Sequence, residues 1–278
     1  MGPFCYLNGK ILPVSEAGVS LYDIGLLRGF GIYEGLRSTN GKPFAFAEHM
    51  ARFKRSGDEL QLVIPKSDAE IDRAMRELIQ KNVPAGRDSL IRMILTGGTA
   101  IGGIGFNPQT PTLFILVEPY DPPAKKYLDD GCNVVTYEHM RQFPQYKTTN
   151  YIQAVLLQKL KAEKDALEVA YVSNGKMLEA TGSNLFVVKG GTIATPKGDI
   201  LHGITRKVVL ETAGKEFSIE ERDVAVEEMF AADEIFLTSS FKDVVPVTRV
   251  DGKAIGDGRP GPISKRVVQL FADYINAY

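Results

Sequence analysis

Lys147, Glu179 and the run Leu201-His202-Gly203-Ile204-Thr205-Arg206 are the residues of this chain whose types and spacing could do chemistry together. Lys147 stands in Tyr146-Lys147-Thr148-Thr149-Asn150-Tyr151, ahead of an expected helix and behind an uncharged stretch, Gln142 to Tyr146. A lysine held among such groups can have its pKa lowered until the amine is nucleophilic, although a lone lysine is more often simply solvated. Glu179 follows a hairpin strand and precedes a small-residue turn, where a carboxylate can hold a pyridine nitrogen protonated; the competing reading is a surface glutamate. Leu201 to Arg206 opens a helix whose free N–H groups, with the Thr205 hydroxyl, make an anion site, and Leu201 suits the face of an aromatic ring. Thr238-Ser239-Ser240, after an apolar strand, offers further hydroxyls or a plain turn. A Schiff-base lysine, a carboxylate for a pyridinium and a helix start for a phosphate together form the binding kit of pyridoxal phosphate (PLP).

Hairpins are expected from Tyr6 to Leu12 around Asn8-Gly9 and from Leu36 to Phe46 around Asn40-Gly41. Ala47 to Leu60 has helical spacing, and Ser67-Asp68-Ala69-Glu70 is a capping box for a helix running towards Lys81. Two apolar strands, Leu90–Thr96 and Thr112–Glu118, flank a glycine-rich loop from Gly97 to Gly105. Pro122-Pro123 breaks regular structure, so residues 1–118 read as a small domain, 119–130 as a linker and 131–278 as a larger, strand-rich domain. Turns there are expected at Asn174-Gly175, Gly190-Gly191 and Asp251-Gly252, with helices over Thr149–Lys164, Ile204–Gly214 and Pro262–Ala277. The fold class is α+β: a small α/β amino-terminal domain followed by a barrel-like mixed domain.

The 278 residues suffice for two cores, and a net charge of −1 argues against a nucleic-acid partner or an anionic membrane surface. No apolar run reaches the roughly 20 residues of a membrane span, and the amino-terminal residues lack the charged and apolar regions of a secretory signal. Cys5 and Cys132, both in apolar stretches, read as buried free thiols of a reducing compartment. The expectation is a soluble cytoplasmic protein with no metal.

Taken in order, these segments resemble the class IV aminotransferases, the fold-type IV PLP enzymes. The resemblance rests on Gly31–Arg37, Glu48-His49-Met50-Ala51-Arg52, Lys147–Tyr151, Glu179–Phe186, the Gly-Ile-Thr-Arg run and Phe236–Val247. It implies a small α/β domain and a larger pseudo-barrel domain, and a homodimer. Lys147 would be the Schiff-base lysine and proton shuttle, and Glu179 the partner of the pyridine nitrogen. Arg52, Ile204, Thr205, Ser239 and Ser240 would serve the phosphate, Leu201 the ring, and Tyr151 the phenolic oxygen, a packing role being the alternative for Tyr151. The implied reaction moves an amino group between amino acids and 2-oxo acids by a ping-pong route.

A transaminase must also hold its substrate's carboxylate, for which Arg28, Arg37 and Arg92 are candidates beside Tyr33 of the Tyr-Glu-Gly strand. Arg92 shares a strand face with Leu90 and Ile94, so its charge needs either an acidic partner or a ligand. D-amino acid aminotransferases typically carry an arginine-glycine pair where this chain has Gly97-Gly98, so their carboxylate trap is missing. Glu34-Gly35-Leu36-Arg37 is similar to the branched-chain pattern, whereas the step from Lys147 to Tyr151 is nearer the D-enzymes. The preferred reading is a D-amino acid aminotransferase with Arg28 and Arg92 as relocated clamps. A branched-chain L-amino acid aminotransferase comes next, then aminodeoxychorismate lyase, an (R)-amine transaminase, and a non-catalytic PLP carrier.

Overall fold

The computed structural model describes residues 2–278, which form two units. The first comprises residues 2–121 and Tyr146–Tyr151, and the second Pro122–Gln145 and Ile152–Tyr278.

In the first unit, Asn8 and Gly9 take left-handed backbone angles and close the hairpin of β1 (Phe4–Leu7) and β2 (Lys10–Pro13). A short helix, α1 (Ile24–Arg28), is N-capped by Asp23 and leads to β3 (Gly31–Thr39). Asn40 and Gly41 turn β3 onto β4 (Lys42–Pro43). Two helices follow, α2 (Phe46–Glu59) and α3 (Asp68–Asn82), the latter opened by the Ser67–Glu70 capping box. With β5 (Ser89–Thr96) and β6 (Thr112–Pro119) the strands form one antiparallel sheet in the order β2-β1-β6-β5-β3-β4. Alternation along β3 and β5 sends Ile32, Leu36, Ile91, Met93 and Leu95 into a core shared with Met50, Phe53, Met75 and Leu78.

The segment Tyr146–Tyr151 is held to this unit by its backbone. The Tyr33 N–H donates to the Lys147 carbonyl (2.9 Å), and the Thr149 N–H donates to Gly31 (2.9 Å). This pairing keeps residues 147–149 extended, so the helix expected from Thr149 begins instead at Ile152.

The second unit opens with α4 (Lys126–Asp129) and β7 (Cys132–Glu138). The expected long helix is two short ones, α5 (Ile152–Leu156) and α6 (Gln158–Glu163). Then come β8 (Glu168–Ser173), β9 (Lys176–Ala180), β10 (Asn184–Lys189), β11 (Thr192–Thr195) and α7 (Ile204–Ala213). The chain ends through β12 (Ile219–Glu221), β13 (Val224–Ala225), α8 (Val226–Phe230), β14 (Glu234–Ser239), β15 (Asp243–Val250), β16 (Lys253–Ala254) and α9 (Pro262–Asn276). Strands run in the order β10-β14-β15-β7-β8-β9, and a pairing of β9 with β10 closes the ring into a barrel. The barrel core is built from Val134, Ala170, Met177, Leu185, Ile235, Leu237 and Val245 with their neighbours. The closing pair is Glu179 opposite Asn184, so the barrel's seam lies at the residues singled out for chemistry. Cys5 and Cys132 are buried free thiols, burial pushing that of Cys132 up to about 12. Among the described residues no helix is long and apolar enough to cross a membrane, and no cluster of metal-ligating side chains occurs.

Candidate active site

In the first unit the chemistry collects where α2 crosses β3. Glu34 lies on the same strand face as Ile32 and Leu36 and is fully buried. A carboxylate there must be paired, and His49 and Arg52, three residues apart on α2, meet it. Arg52 grips it with two parallel bonds, Nε to Oε1 at 2.7 Å and Nη2 to Oε2 at 2.8 Å. His49 Nδ1 approaches Oε2 at 2.8 Å. Burial alone would raise the carboxyl pKa of Glu34, but Arg52 and His49 outweigh it and bring it down to about 2. Burial pushes the His49 imidazole down, against the opposing pull of Glu34, with Arg52 and Lys147 adding to the fall. A neutral His49 donating Nδ1–H to Glu34 fits both directions.

One turn further along α2, Ser56 accepts the Lys147 backbone N–H at 3.1 Å. The half-buried Lys147 ammonium lies over the Tyr33 ring, 4.3 Å from its centroid. The Tyr33 hydroxyl donates to the Tyr151 hydroxyl at 2.6 Å, the rings meeting edge to face at 78°. Lys147, Tyr33 and Tyr151 are thus brought together, beside the α2 face that carries Arg52.

In the second unit the buried Glu179 carboxylate has donors on both oxygens. Arg141 Nε donates to Oε1 at 2.6 Å and the Leu201 N–H to Oε2 at 3.0 Å. Arg141 also donates to the Pro144 carbonyl. Asn184 Nδ2 donates to the Leu201 carbonyl at 2.7 Å, so the seam residues hold the approach to α7 from both sides. Gly203, the N-cap of α7, provides no side-chain cap. A Cβ at Gly203 would stand 2.2 Å from Asn184 Oδ1, so only glycine lets the chain pass this close. Ile204 and Thr205 are buried in the first turn of this ten-residue helix. Thr238 Oγ1 is buried without a hydrogen-bond partner, and Ser239 and Ser240 beyond it are half-buried.

The arginines fare differently. Arg92 is ion-paired with Glu118 on the neighbouring strand, so the carboxylate it meets is the protein's own. Arg37 is buried with its guanidinium over the Tyr120 ring, 5.2 Å from the centroid. Arg28 ends α1 exposed, its Nη1 donating to the Leu27 carbonyl at 2.8 Å. Sequence reasoning missed Glu34, His49, Ser56, Arg141 and Asn184. The His49–Arg52 spacing and the alternation of β3 carried a signal for the first two. Arg141, 38 residues from Glu179, carried none.

Each unit carries donors of the kind that PLP needs: an amine on an aromatic face in the first, and an anchored carboxylate, an uncapped helix start and an orphaned buried hydroxyl in the second. Comparison with known proteins agrees. Residues 31–250 match the family model for amino-transferase class IV. A Methanocaldococcus jannaschii protein, provisionally assigned as a branched-chain-amino-acid aminotransferase, is 34% identical over 96% of this chain and 95% of its own. A D-alanine aminotransferase of Bacillus licheniformis is 34% identical over 94% of this chain and 93% of its own. The branched-chain amino acid aminotransferase of Escherichia coli superposes with a TM-score of 0.91 at 25% identity, covering 99% of this chain and 95% of that one. The chain belongs to the class IV aminotransferases, with the fold-type IV architecture its two units display.

Proposed function

We propose that this PLP-dependent aminotransferase moves the amino group of a D-amino acid to a 2-oxo acid such as 2-oxoglutarate or pyruvate, in two half-reactions. The observation that carries the transaminase reading is Lys147 poised over Tyr33, with Tyr151 bonded to that ring's hydroxyl. When bound, PLP supplies an electron sink for the pair left at Cα. Lys147 would hold the cofactor covalently and, once displaced by the substrate amine, take the Cα proton on Nζ and return it to the cofactor's carbon. Glu179, fixed by Arg141 and Leu201, would keep the pyridine nitrogen protonated. Arg52, the first turn of α7 with Thr205, and Ser239 and Ser240 would take the phosphate, Leu201 the ring and Tyr151 the phenolic oxygen.

D-amino acids are favoured by the four-residue step from Lys147 to Tyr151 and by the D-alanine aminotransferases at 31–34% identity. With Arg92 engaged by Glu118, Arg28 is the preferred clamp for the substrate carboxylate, with Tyr33 beside Lys147. A branched-chain L-amino acid reading is supported by Glu34-Gly35-Leu36-Arg37 and by the Methanocaldococcus relative. Titrating the PLP-loaded protein separately with D-alanine, D-glutamate, L-leucine and L-glutamate decides between them. Bleaching of the visible band by the D-acids alone is expected; bleaching by L-leucine and L-glutamate would transfer the assignment. A homodimer is part of the proposal, supported by exposed Leu21, Tyr22, Leu26, Ile101 and Ile104 on the first unit. Sedimentation at several concentrations tests it.

A further inference from the structure

Glu168 is a buried acid that the proposed chemistry does not use. It opens β8, is 2% exposed, and accepts from three side chains. Lys242 Nζ donates at 2.6 Å, Ser183 Oγ at 2.9 Å, and Thr181 Oγ1 as well. The donors come from two turns. Thr181 and Ser183 lie in the turn after Glu179, closed by the Ala180 N–H on the Ser183 carbonyl (2.7 Å). Lys242 ends the turn that follows Ser239, the last residue of β14, and that carries Ser240. Antiparallel pairing of β10 with β14 sets Asn184 opposite Thr238, which brings both turns to one end of the ladder. Gly182 passes so close that a Cβ there would lie 3.3 Å from Glu168 Oε1. Within its own turn, the Lys242 N–H donates to Ser239 Oγ at 3.0 Å. That bond uses an acceptor lone pair and leaves the Ser239 hydroxyl proton to be given elsewhere.

We infer that Glu168 and Lys242 form a brace that positions Ser239 and Ser240 as hydroxyl donors to the cofactor phosphate, by tying their turn to the turn that follows Glu179. The inference rests on the proposed PLP reading of these residues. Lys242 is a positioning residue in this scheme: its charge is spent on Glu168, and its backbone orients Ser239. The arrangement also explains a buried charge that would otherwise be costly, since a carboxylate with three donors from two turns fixes both at once.

The test is a double-mutant cycle on the apoprotein, titrated with PLP and, separately, with pyridoxal, which lacks the phosphate. Lys242→Met and Glu168→Gln should each weaken PLP about tenfold. The double variant, which strands no buried charge, should be no weaker than either single one, because the two act as a unit. Pyridoxal affinity should stay within about twofold throughout, and Lys242→Arg should restore PLP binding. Unchanged PLP affinity in Glu168→Gln overturns the brace, and if Lys242→Met alone is weakened it makes Lys242 a direct phosphate ligand instead. Equal losses for PLP and pyridoxal also overturn it, as a general structural defect. A wild-type protein that forms no visible band with PLP overturns the underlying PLP reading, a result distinct from failure of the brace.

Discussion

Replacing Glu34 by glutamine removes the buried charge that ties β3 to His49 and Arg52 of α2. Arg52 would lose a bidentate partner held at 2.7 and 2.8 Å, and one of its donors would face the glutamine amide, itself a donor. Breaking a fully buried pair from one side costs about 3–5 kcal/mol, because the remaining charge stays desolvated. The drop of the Glu34 pKa from 4.5 to about 2 gives a similar magnitude, about 3 kcal/mol at neutral pH. For a domain of this size that is about 10 °C in melting temperature. The chain has no tryptophan, so thermal unfolding is best followed by far-UV circular dichroism, in apoprotein and at saturating PLP. If Arg52 meets the cofactor phosphate, PLP supplies the missing negative charge, and the variant gains more stability from PLP than the wild type does. An apo Glu34→Gln protein within about 1 kcal/mol of the wild type would refute the reasoning, since a neutral side chain would then serve Arg52 as well as the carboxylate does.

Lys147→Ala should abolish the visible band of covalently held PLP and lower transamination at least about a thousandfold, read by rapid mixing with excess amino acid. Acid should unfold the protein in two stages. Unfolded His49 takes up a proton near its ordinary 6.5 while folded His49, pushed down, does not, so stability falls as pH drops below 6.5. The Glu34 contribution is present above the ordinary carboxylate value of 4.5 and is lost as pH falls from there towards 2. His49→Asn should remove the first stage from a series of urea melts. Arg141→Met takes a charged donor from Glu179 and should shift the visible band of bound PLP, with Arg141→Lys intermediate; an unaltered spectrum would show that Arg141 does not tune the cofactor. Arg28→Met should raise KM for a D-amino acid about tenfold, whereas Arg92→Met, whose pair with Glu118 is partly exposed, should change KM less than about twofold.

What the sequence disclosed and what it withheld divide along one physical line. Hairpins at Asn8-Gly9, Asn40-Gly41 and Asn174-Gly175 are written locally, because each needs left-handed angles that these residues adopt cheaply. The same holds for the Ser67–Glu70 capping box and for the start of α7 after Gly203. The helix expected from Thr149 failed for the opposite reason. There the Thr149 N–H is taken by the Gly31 carbonyl and the Lys147 carbonyl by the Tyr33 N–H, groups of β3 more than 110 residues away.

The fate of the three arginines shows how far this reaches into function. Alternation correctly set Arg92 on a face with Leu90 and Ile94, but naming its partner required the β5–β6 register. That register puts Leu116 opposite Arg92, and so places Glu118 two residues along on the same face, within diagonal reach. Arg37 needed Tyr120, and Arg141 needed a barrel closed between β9 and β10, before either had an address. Residue type therefore announced the reaction, since lysine, glutamate and a glycine-led helix keep their chemistry in any register. Carboxylate recognition is different in kind. How much an arginine can offer a substrate carboxylate depends on how many of its donors the protein's own side chains have taken, and that is settled by strand register and barrel closure. Of the three candidates, Arg92 is held by Glu118 and Arg37 lies buried over Tyr120, whereas Arg28 stands exposed at the end of α1, which is why the proposed carboxylate clamp is placed there.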